Sequence, residues 1–369
     1  MAIKKVTGIP EIDAIASAFA KKYGKEEILS MGPKYEKVES ISTGSVSLDA
    51  VLGIGGVPDD RVIEIFGPPS AGKTSLCLQV VRNYVETKGY TKPPVWIDLE
   101  RTTGLDLVES MGLDPDKMIF VYPDTAEEAL QLAQDLGKTG KVGVVVFDSI
   151  DAAQSEKETK RNMNEVGVAD LPRLLSKALR SISKISVDNK VCYLFINQVR
   201  TNIGILYGNP ETTSGGNAIP FYASVRLRVS SKPSADQENA LTMRVKVVKN
   251  KCAPALAKEA TFDFVPGIGT DKFLDAVNYC KDNGIIRFAG SSVKYTSPET
   301  GEEAPLCTGG RMGMREYLVS NPEFFEKLKD QILNGNKRQA QIEDSVSDSG
   351  TESSSEEWSN YTMRKRSLV

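Results

Sequence analysis

The chain contains no histidine in 369 residues. That absence removes Ser-His-Asp and Cys-His nucleophilic mechanisms and every histidine-held metal site, so catalysis must run on carboxylates, lysines, hydroxyls and a hard cation. Cysteine is scarce. Cys77, Cys192, Cys252, Cys280 and Cys307 stand apart with no C-x-x-C spacing, which argues against a metal cage and reads as reduced thiols in a cytoplasmic protein. Long apolar runs are missing as well. The longest, such as Val142–Phe147, fall far below the roughly 20 residues that span a bilayer, and Met1–Lys5 leads into no apolar signal segment. The expected setting is therefore cytoplasmic, with no membrane contact. Net charge is only −3, so no global positive field advertises nucleic acid, and a DNA site would have to be assembled from local basic groups and backbone amides.

What the chain does have is the stretch Gly67, Pro68, Pro69, Ser70, Ala71, Gly72, Lys73, Thr74, followed by Ser75. It follows the apolar run Val62–Phe66 and opens an amphipathic segment with Leu76, Val80, Val81 and Tyr84, so it joins a buried strand to a helix. Small residues there let consecutive backbone N–H groups turn inward around phosphate oxygens, and the helix N-terminus adds partial positive charge. Lys73 is placed to reach the terminal phosphates and the Thr74 hydroxyl to join a Mg²⁺ shell, so the expected ligand is a nucleoside triphosphate with Mg²⁺.

Around this stretch the pattern alternates strand and helix. Apolar runs at Val62–Phe66, Val95–Asp98, Ile119–Tyr122, Val142–Phe147 and Val191–Ile196 predict a twisted, largely parallel sheet covered on both faces. Tyr222–Val229 and Leu241–Lys249 alternate apolar and polar residues across a Ser230–Asn239 loop, which predicts an antiparallel hairpin finishing the sheet. Before the sheet, Ile12, Ile15, Ala16, Phe19, Ala20 and Tyr23 predict a lone amphipathic helix ending near Gly24. After it come helices around Lys272–Asn283 and Asn321–Leu333 flanking a turn-rich middle, Ser291–Gly313. From about residue 337 the chain is rich in Ser, Asp and Glu without apolar periodicity, and it ends near Arg364, Lys365 and Arg366, which predicts a disordered tail.

Three strand ends carry chemistry. Asp148 closes Val142–Phe147, where a carboxylate either holds Mg²⁺ through water or caps a helix; paired with the phosphate loop, the metal role is favoured. Glu100 follows Val95–Asp98 and can orient or deprotonate a water, or simply be a charge at a loop start. Asn197 and Gln198 close the Val191–Ile196 run, suited to sensing a γ-phosphate or to plain strand-end capping.

Beyond Gln198 runs Arg200–Asn217, glycine-rich and without secondary-structure period, holding Arg200, Asn202, Ile203, Tyr207, Gly215, Gly216 and Asn217. Segments of this length inside a compact domain are usually functional, and apolar and aromatic side chains beside glycine amides suit stacking on bases and holding phosphates. A second such segment, Thr159–Ala169 with Met163, precedes a helix whose Arg173, Lys177, Arg180 and Lys184 share one face opposite Leu174, Ala178, Ile182 and Ile185. A basic stripe alone is commonly a solvated helix face. Beside these two segments, a single-strand channel is the better reading.

The ordered motifs Gly44–Asp49, Gly67–Thr74, Ile97–Glu100, Val146–Ser149, Phe195–Arg200, Gly208–Ala218, Phe221–Leu227 and Val245–Lys251 resemble those of the bacterial RecA recombinase family, over residues 1 to about 335. The resemblance implies an α/β fold: a RecA-like phosphate-loop ATPase core with a twisted, mostly parallel sheet, an N-terminal helix/strand polymerisation arm and a small C-terminal α+β domain. It implies boundaries at 1–36 for the oligomerisation arm, 37–269 for the ATPase and DNA-binding core, 270–336 for the C-terminal domain and 337–369 for the acidic tail with its basic end. Carried over residue by residue, it assigns phosphate and Mg²⁺ to Lys73 and Thr74, water activation to Glu100 and metal support to Asp148. It gives Gln198 the coupling of γ-phosphate to DNA, and Lys249 and Lys251 a reach to the ATP of an adjacent subunit. ATP would then lie between protomers of a helical filament, a heterologous, non-closing assembly in which the N-terminal helix packs on the neighbouring core.

The implied activity is ATP-dependent pairing and exchange of single-stranded DNA with homologous duplex in recombination and repair. Implied partners are a second copy of the chain, self-cleaving repressors and single-strand-binding proteins. A ring-forming helicase on the same fold, and a DNA-coating scaffold that uses ATP as an assembly switch, are the alternatives. The chain departs from the family pattern at Gly104 and Leu107, where an aspartate and a tyrosine usually meet adenine, and at Pro220, where an interface lysine is usual. Tyr207 replaces a loop phenylalanine. Such departures suggest a divergent member, of the kind a phage can encode.

Overall fold

In the computed structural model the described residues are 7–24, 29, 38–155, 170–201, 211–235, 239–253, 259–298 and 300–334. The chain divides into one unit up to Val38 and a second from Glu39 onward. The first holds helix α1 (Pro10–Tyr23), started by a proline in its first turn and ended by Gly24 at φ 65°, a left-handed cap that glycine adopts without steric cost. Helix and stop agree with the sequence expectation.

The second unit is built on a ten-stranded sheet. Its parallel part contains β3 (Val62–Gly67), β4 (Val95–Asp98), β5 (Ile119–Val121), β6 (Val144–Asp148), β7 (Cys192–Thr201) and β9 (Val225–Pro233), in the order β9-β3-β7-β6-β4-β5. Because side chains alternate across a strand, each apolar run feeds two cores. Ile63, Ile65, Trp96, Val144, Val146, Leu194 and Ile196 pack with Leu76, Val80 and Val81 of α3 (Lys73–Lys88) on one face. Val62, Val95, Ile97, Val145, Phe147, Tyr193 and Phe195 pack on the other, with Ala129, Leu130 and Ala133 of α5 (Ala126–Lys138) and Leu175, Leu179 and Ile182 of α6 (Asp170–Asn189). The short α4 covers Leu105–Ser110.

The antiparallel edge is longer than the sequence suggests. β10 (Leu241–Asn250) pairs with β9 as expected, yet it does not finish the sheet, since β11 (Glu259–Val265) and β12 (Gly269–Thr270) add two more strands. β9 also runs on to Pro233, into the stretch expected as a loop, and Tyr222 belongs instead to helix α7 (Ala218–Tyr222). A small pair of strands, β1 (Ser40–Ile41) and β2 (Val57–Pro58), brackets helix α2 (Val46–Leu52).

The C-terminal part is a three-stranded antiparallel sheet, β13 (Ile286–Ala289), β14 (Ser292–Thr296) and β15 (Glu303–Thr308), with α8 (Lys272–Asp282), α9 (Gly310–Ser320) and α10 (322–334). The middle expected to be turns therefore holds two strands and the start of α9. Val46 and Ala50 of α2 complete its core with Val277, Ile286, Val293, Leu318 and Leu328. Buried Asp275 fixes the join, accepting from Ser45 Oγ at 2.8 Å and from the Ser47 amide at 3.0 Å. Among the described residues no helix is long and apolar enough to cross a membrane.

Candidate functional site

Strand register assembles the site. Gly67 pairs with Gln198, Phe147 with Phe195, and Asp98 with Asp148, so the carboxyl ends of β3, β7, β6 and β4 reach one edge together. This is the edge at which open parallel sheets bind ligands.

The phosphate loop springs from it. Ser70 at φ 58° and Gly72 at φ 85° punctuate the loop with left-handed residues, the backbone alternation that forms an anion-binding concavity, and α3 starts immediately afterwards at Lys73. Lys73 is buried, and its Nζ donates to the carbonyls of Gly67 at 3.1 Å and Pro68 at 2.7 Å. Burial holds this ammonium below its ordinary range, while Glu100 and Asp148 draw it back up.

Thr74 Oγ1 donates to Asp148 Oδ2 at 3.1 Å. Burial, then the neighbouring Glu100 carboxylate, push the Asp148 carboxyl up to about 7. A buried acid held this high gains from a cation, and two oxygen donors beside a phosphate loop match the preference of Mg²⁺ for one or two carboxylate or hydroxyl ligands plus phosphate and water. The residues present fit Mg²⁺. Glu100 accepts a hydrogen bond from Ser149 Oγ, and the water-activating candidate and the metal candidate sit on adjacent strand ends. Its turn is shaped by Asp98, which accepts from the amides of Arg101 at 2.7 Å and Thr103 at 3.0 Å and holds Arg101 at φ 54°. Gly104 is exposed with open space around it, and Leu107 packs on the core.

Next to Gln198, which is half-buried, Asn197 Nδ2 donates to Glu64 Oε1 at 3.0 Å and to the Ser214 carbonyl at 2.9 Å. Fully buried Glu64 also pairs with Arg226, whose guanidinium stacks 4.7 Å from the Phe66 ring. Sequence reading missed this pair; the available signal was a lone acid inside the apolar run Val62–Phe66. Lys249 Nζ donates to the carbonyls of Pro220 at 2.7 Å and Phe221 at 3.0 Å, holding the end of α7 rather than the phosphate loop of its own chain. Lys251 is exposed.

Also missed was a cavity of about 830 Å³ on the antiparallel edge, lined by Arg226, Arg228, Arg244, Lys246 and Lys249. Its signal is alternation, since Arg228 and Lys246 stand directly opposite each other in the β9–β10 pair. Glu211 answers Arg228 and Glu259 answers Arg244, each through two guanidinium nitrogens.

Of the candidate DNA residues, Arg173 and Arg180 are exposed on α6 together with Lys177 and Lys184, while Leu175, Ala178, Leu179, Ile182 and Ile185 are buried. Arg200 is exposed near the end of β7, and Gly215, Gly216 and Asn217 form the turn between β8 (Glu211–Thr213) and α7. Met163, Asn202, Ile203 and Tyr207 lie outside the described residues, as does the tail from 335.

Comparison with known proteins identifies the family. The family model of the RecA N-terminal domain matches residues 11–271. Protein RecA 2 of Myxococcus xanthus is 36% identical over 328 residues, covering 87% of this chain and 88% of that protein. Protein RecA of Citrifermentans bemidjiense is 36% identical over 328 residues, covering 88% and 94%, and Protein RecA of Rickettsia bellii is 37% identical over 332 residues, covering 88% and 93%. With a family match over most of its length and relatives of this identity along nearly all of theirs, the chain belongs to the RecA family.

Proposed function

We propose that this RecA-type recombinase polymerises on single-stranded DNA as a helical filament, pairs it with homologous duplex and exchanges strands, with ATP hydrolysis resetting the filament. The observation that carries the reading is the shared strand edge. The phosphate loop, Asp148, Glu100 and Gln198 end there together, and β7 continues from Gln198 through Arg200 to residues 202–210 before β8 returns the chain to Gly215, Gly216 and Asn217.

In this reading Gly67 to Ser75 cradle the phosphates and Lys73 exchanges its carbonyl partners for phosphate oxygens. Thr74 and Asp148 hold Mg²⁺, which when bound neutralises charge on the phosphate oxygens. Glu100, beside Ser149, orients the attacking water, a role worth roughly 10²- to 10⁴-fold in general-base catalysis. Gln198 senses the γ-phosphate, and Lys249 and Lys251 serve the ATP of an adjacent subunit. Met163, Arg173, Arg180, Arg200, Asn202, Ile203, Tyr207, Gly215, Gly216 and Asn217 face DNA. Residues 1–36 act as the polymerisation arm, consistent with the exposed Ile15, Phe19 and Tyr23 of α1, and 37–269, 270–336 and 337–369 as core, C-terminal domain and tail. The proposed setting is the cytoplasm, with single-strand-binding proteins and self-cleaving repressors as partners.

The test is strand exchange between circular single-stranded DNA and homologous linear duplex with ATP and Mg²⁺. Joint molecules and nicked circles are expected with homologous DNA only. DNA-dependent ATP turnover without joint molecules would contradict the recombinase reading.

A further inference from the structure

The geometry points to Asp151 as the positioning residue that sets how strongly single-stranded DNA stimulates ATP turnover. This rests on the DNA-facing role proposed for Arg200 and its neighbours. Asp151 lies in a short helical turn, Ile150–Ala152, directly after the strand end that carries Asp148 and Ser149. Its Oδ1 accepts from Arg200 Nε at 3.1 Å and Nη2 at 2.5 Å, and also from Ser214 Oγ. Arg200 stands in β7 just before residues 202–210, and Ser214 stands just after β8, which follows them. Asp151 itself precedes residues 156–169 by a few positions. One carboxylate therefore joins the chain leading into residues 156–169 to both flanks of residues 202–210.

An ion pair open to water is usually worth little, but this one differs in two ways. The Asp151 side chain is only 14% exposed, against 61% for Arg200, so the acceptor is held while the cation faces solvent. Ser214 and Gly215 are each gripped once more. The Ser214 carbonyl accepts from Asn197 Nδ2 at 2.9 Å, and Gly215 beyond it, at φ 83°, lies so close to α6 that a Cβ would meet Leu175 Cδ1 at 2.3 Å and Ile150 Cγ2 at 3.4 Å. The flank at Ser214 and Gly215 is thus fixed to Ile150–Asp151 by polar and by steric contact. That turn continues into Asp148 and Ser149, which touch Thr74 and Glu100. Contacts thus run from the phosphate end to Arg200 and Ser214 through a few adjoining residues, and a bound strand meets a preorganised Arg200. Removing the carboxylate transfers the cost of ordering the Arg200 side chain to the binding step.

The experiment measures ATP hydrolysis by the full chain against single-stranded DNA concentration for wild type, Asp151→Ala, Asp151→Asn and Ser214→Ala. Asp151→Ala is expected to raise the half-stimulating DNA concentration about tenfold, roughly 1.4 kcal/mol, with the KM for ATP and DNA-free turnover within about twofold. Asp151→Asn keeps an acceptor oxygen for both donors and is expected within about threefold of wild type; Ser214→Ala, losing one of three bonds, falls between. Unchanged or tighter DNA dependence in Asp151→Ala overturns the assignment, because the carboxylate would then be inert or merely repelling phosphate. If wild type shows no DNA stimulation, the recombinase reading fails by itself. The tether is then read without DNA, from amide exchange in the β7–β8 pair: about tenfold faster exchange in Asp151→Ala supports it, and unchanged exchange overturns it.

Discussion

Thr74 and Asp148 are joined across the sheet edge by a 3.1 Å hydrogen bond, Thr74 from the first turn of the helix after the phosphate loop and Asp148 from the end of β6, which β7 separates from β3. The hydroxyl has an acceptor in place and the carboxyl, buried beside Glu100, sits near 7 rather than its ordinary 3.8.

That shift has a sign. A folded-state value above the unfolded one gives stability that is complete below about pH 4 and is lost as pH rises to about 7. Asp148→Asn has no charge to bury. Relative to wild type, its stability without nucleotide is expected to improve by roughly 2–3 kcal/mol between pH 5 and pH 8, at ~1.4 kcal/mol per pH unit. Urea melts of both proteins at the two pH values measure this directly, and the buried Asp49 and Asp275, also raised by burial, cancel in the difference. The same variant is expected to lose Mg²⁺-dependent hydrolysis.

Glu100→Gln keeps an acceptor for Ser149 but cannot take a proton. ATP and DNA binding are expected to persist while turnover falls by roughly 10²- to 10⁴-fold. Equal turnover in single-turnover assays would remove Glu100 from the mechanism.

Glu64 is fully buried and shared by Arg226 and Asn197. Glu64→Ala leaves a cation and an amide without their acceptor, and the expected loss is about 3–5 kcal/mol by denaturant unfolding. A loss below about 1 kcal/mol would mean that water replaces the carboxylate.

Arg173 and Arg180 project from the exposed face of α6. Replacing either by Ala is expected to lower the slope of log affinity for single-stranded DNA against log salt by about 0.7 for each phosphate no longer neutralised. An unchanged slope would return the stripe to a solvated helix face.

Legibility followed burial and locality. The central parallel strands were readable because their apolar runs are buried on both faces, the edge strand β5 being only half-buried, and the phosphate loop because its residues are consecutive. β13 to β15 were not, since Glu303–Thr308 is largely exposed and carries Pro305 and no apolar alternation. The same limit hid the site's support. Asp151 meets Arg200 and Ser214 across 49 and 63 residues, and Glu64 meets Arg226 across 162; only the sheet brings them together. Lys249 shows the converse, a residue placed by resemblance whose contacts within one chain are the carbonyls of Pro220 and Phe221.

The most direct measurement is ATP hydrolysis with and without single-stranded DNA at low and moderate salt, with electron micrographs of the same mixtures. Turnover stimulated by DNA, weakening as salt rises, together with helical filaments, is the expected result. Closed rings, or filaments whose turnover does not respond to DNA, would contradict a recombinase that couples this phosphate site to a bound strand.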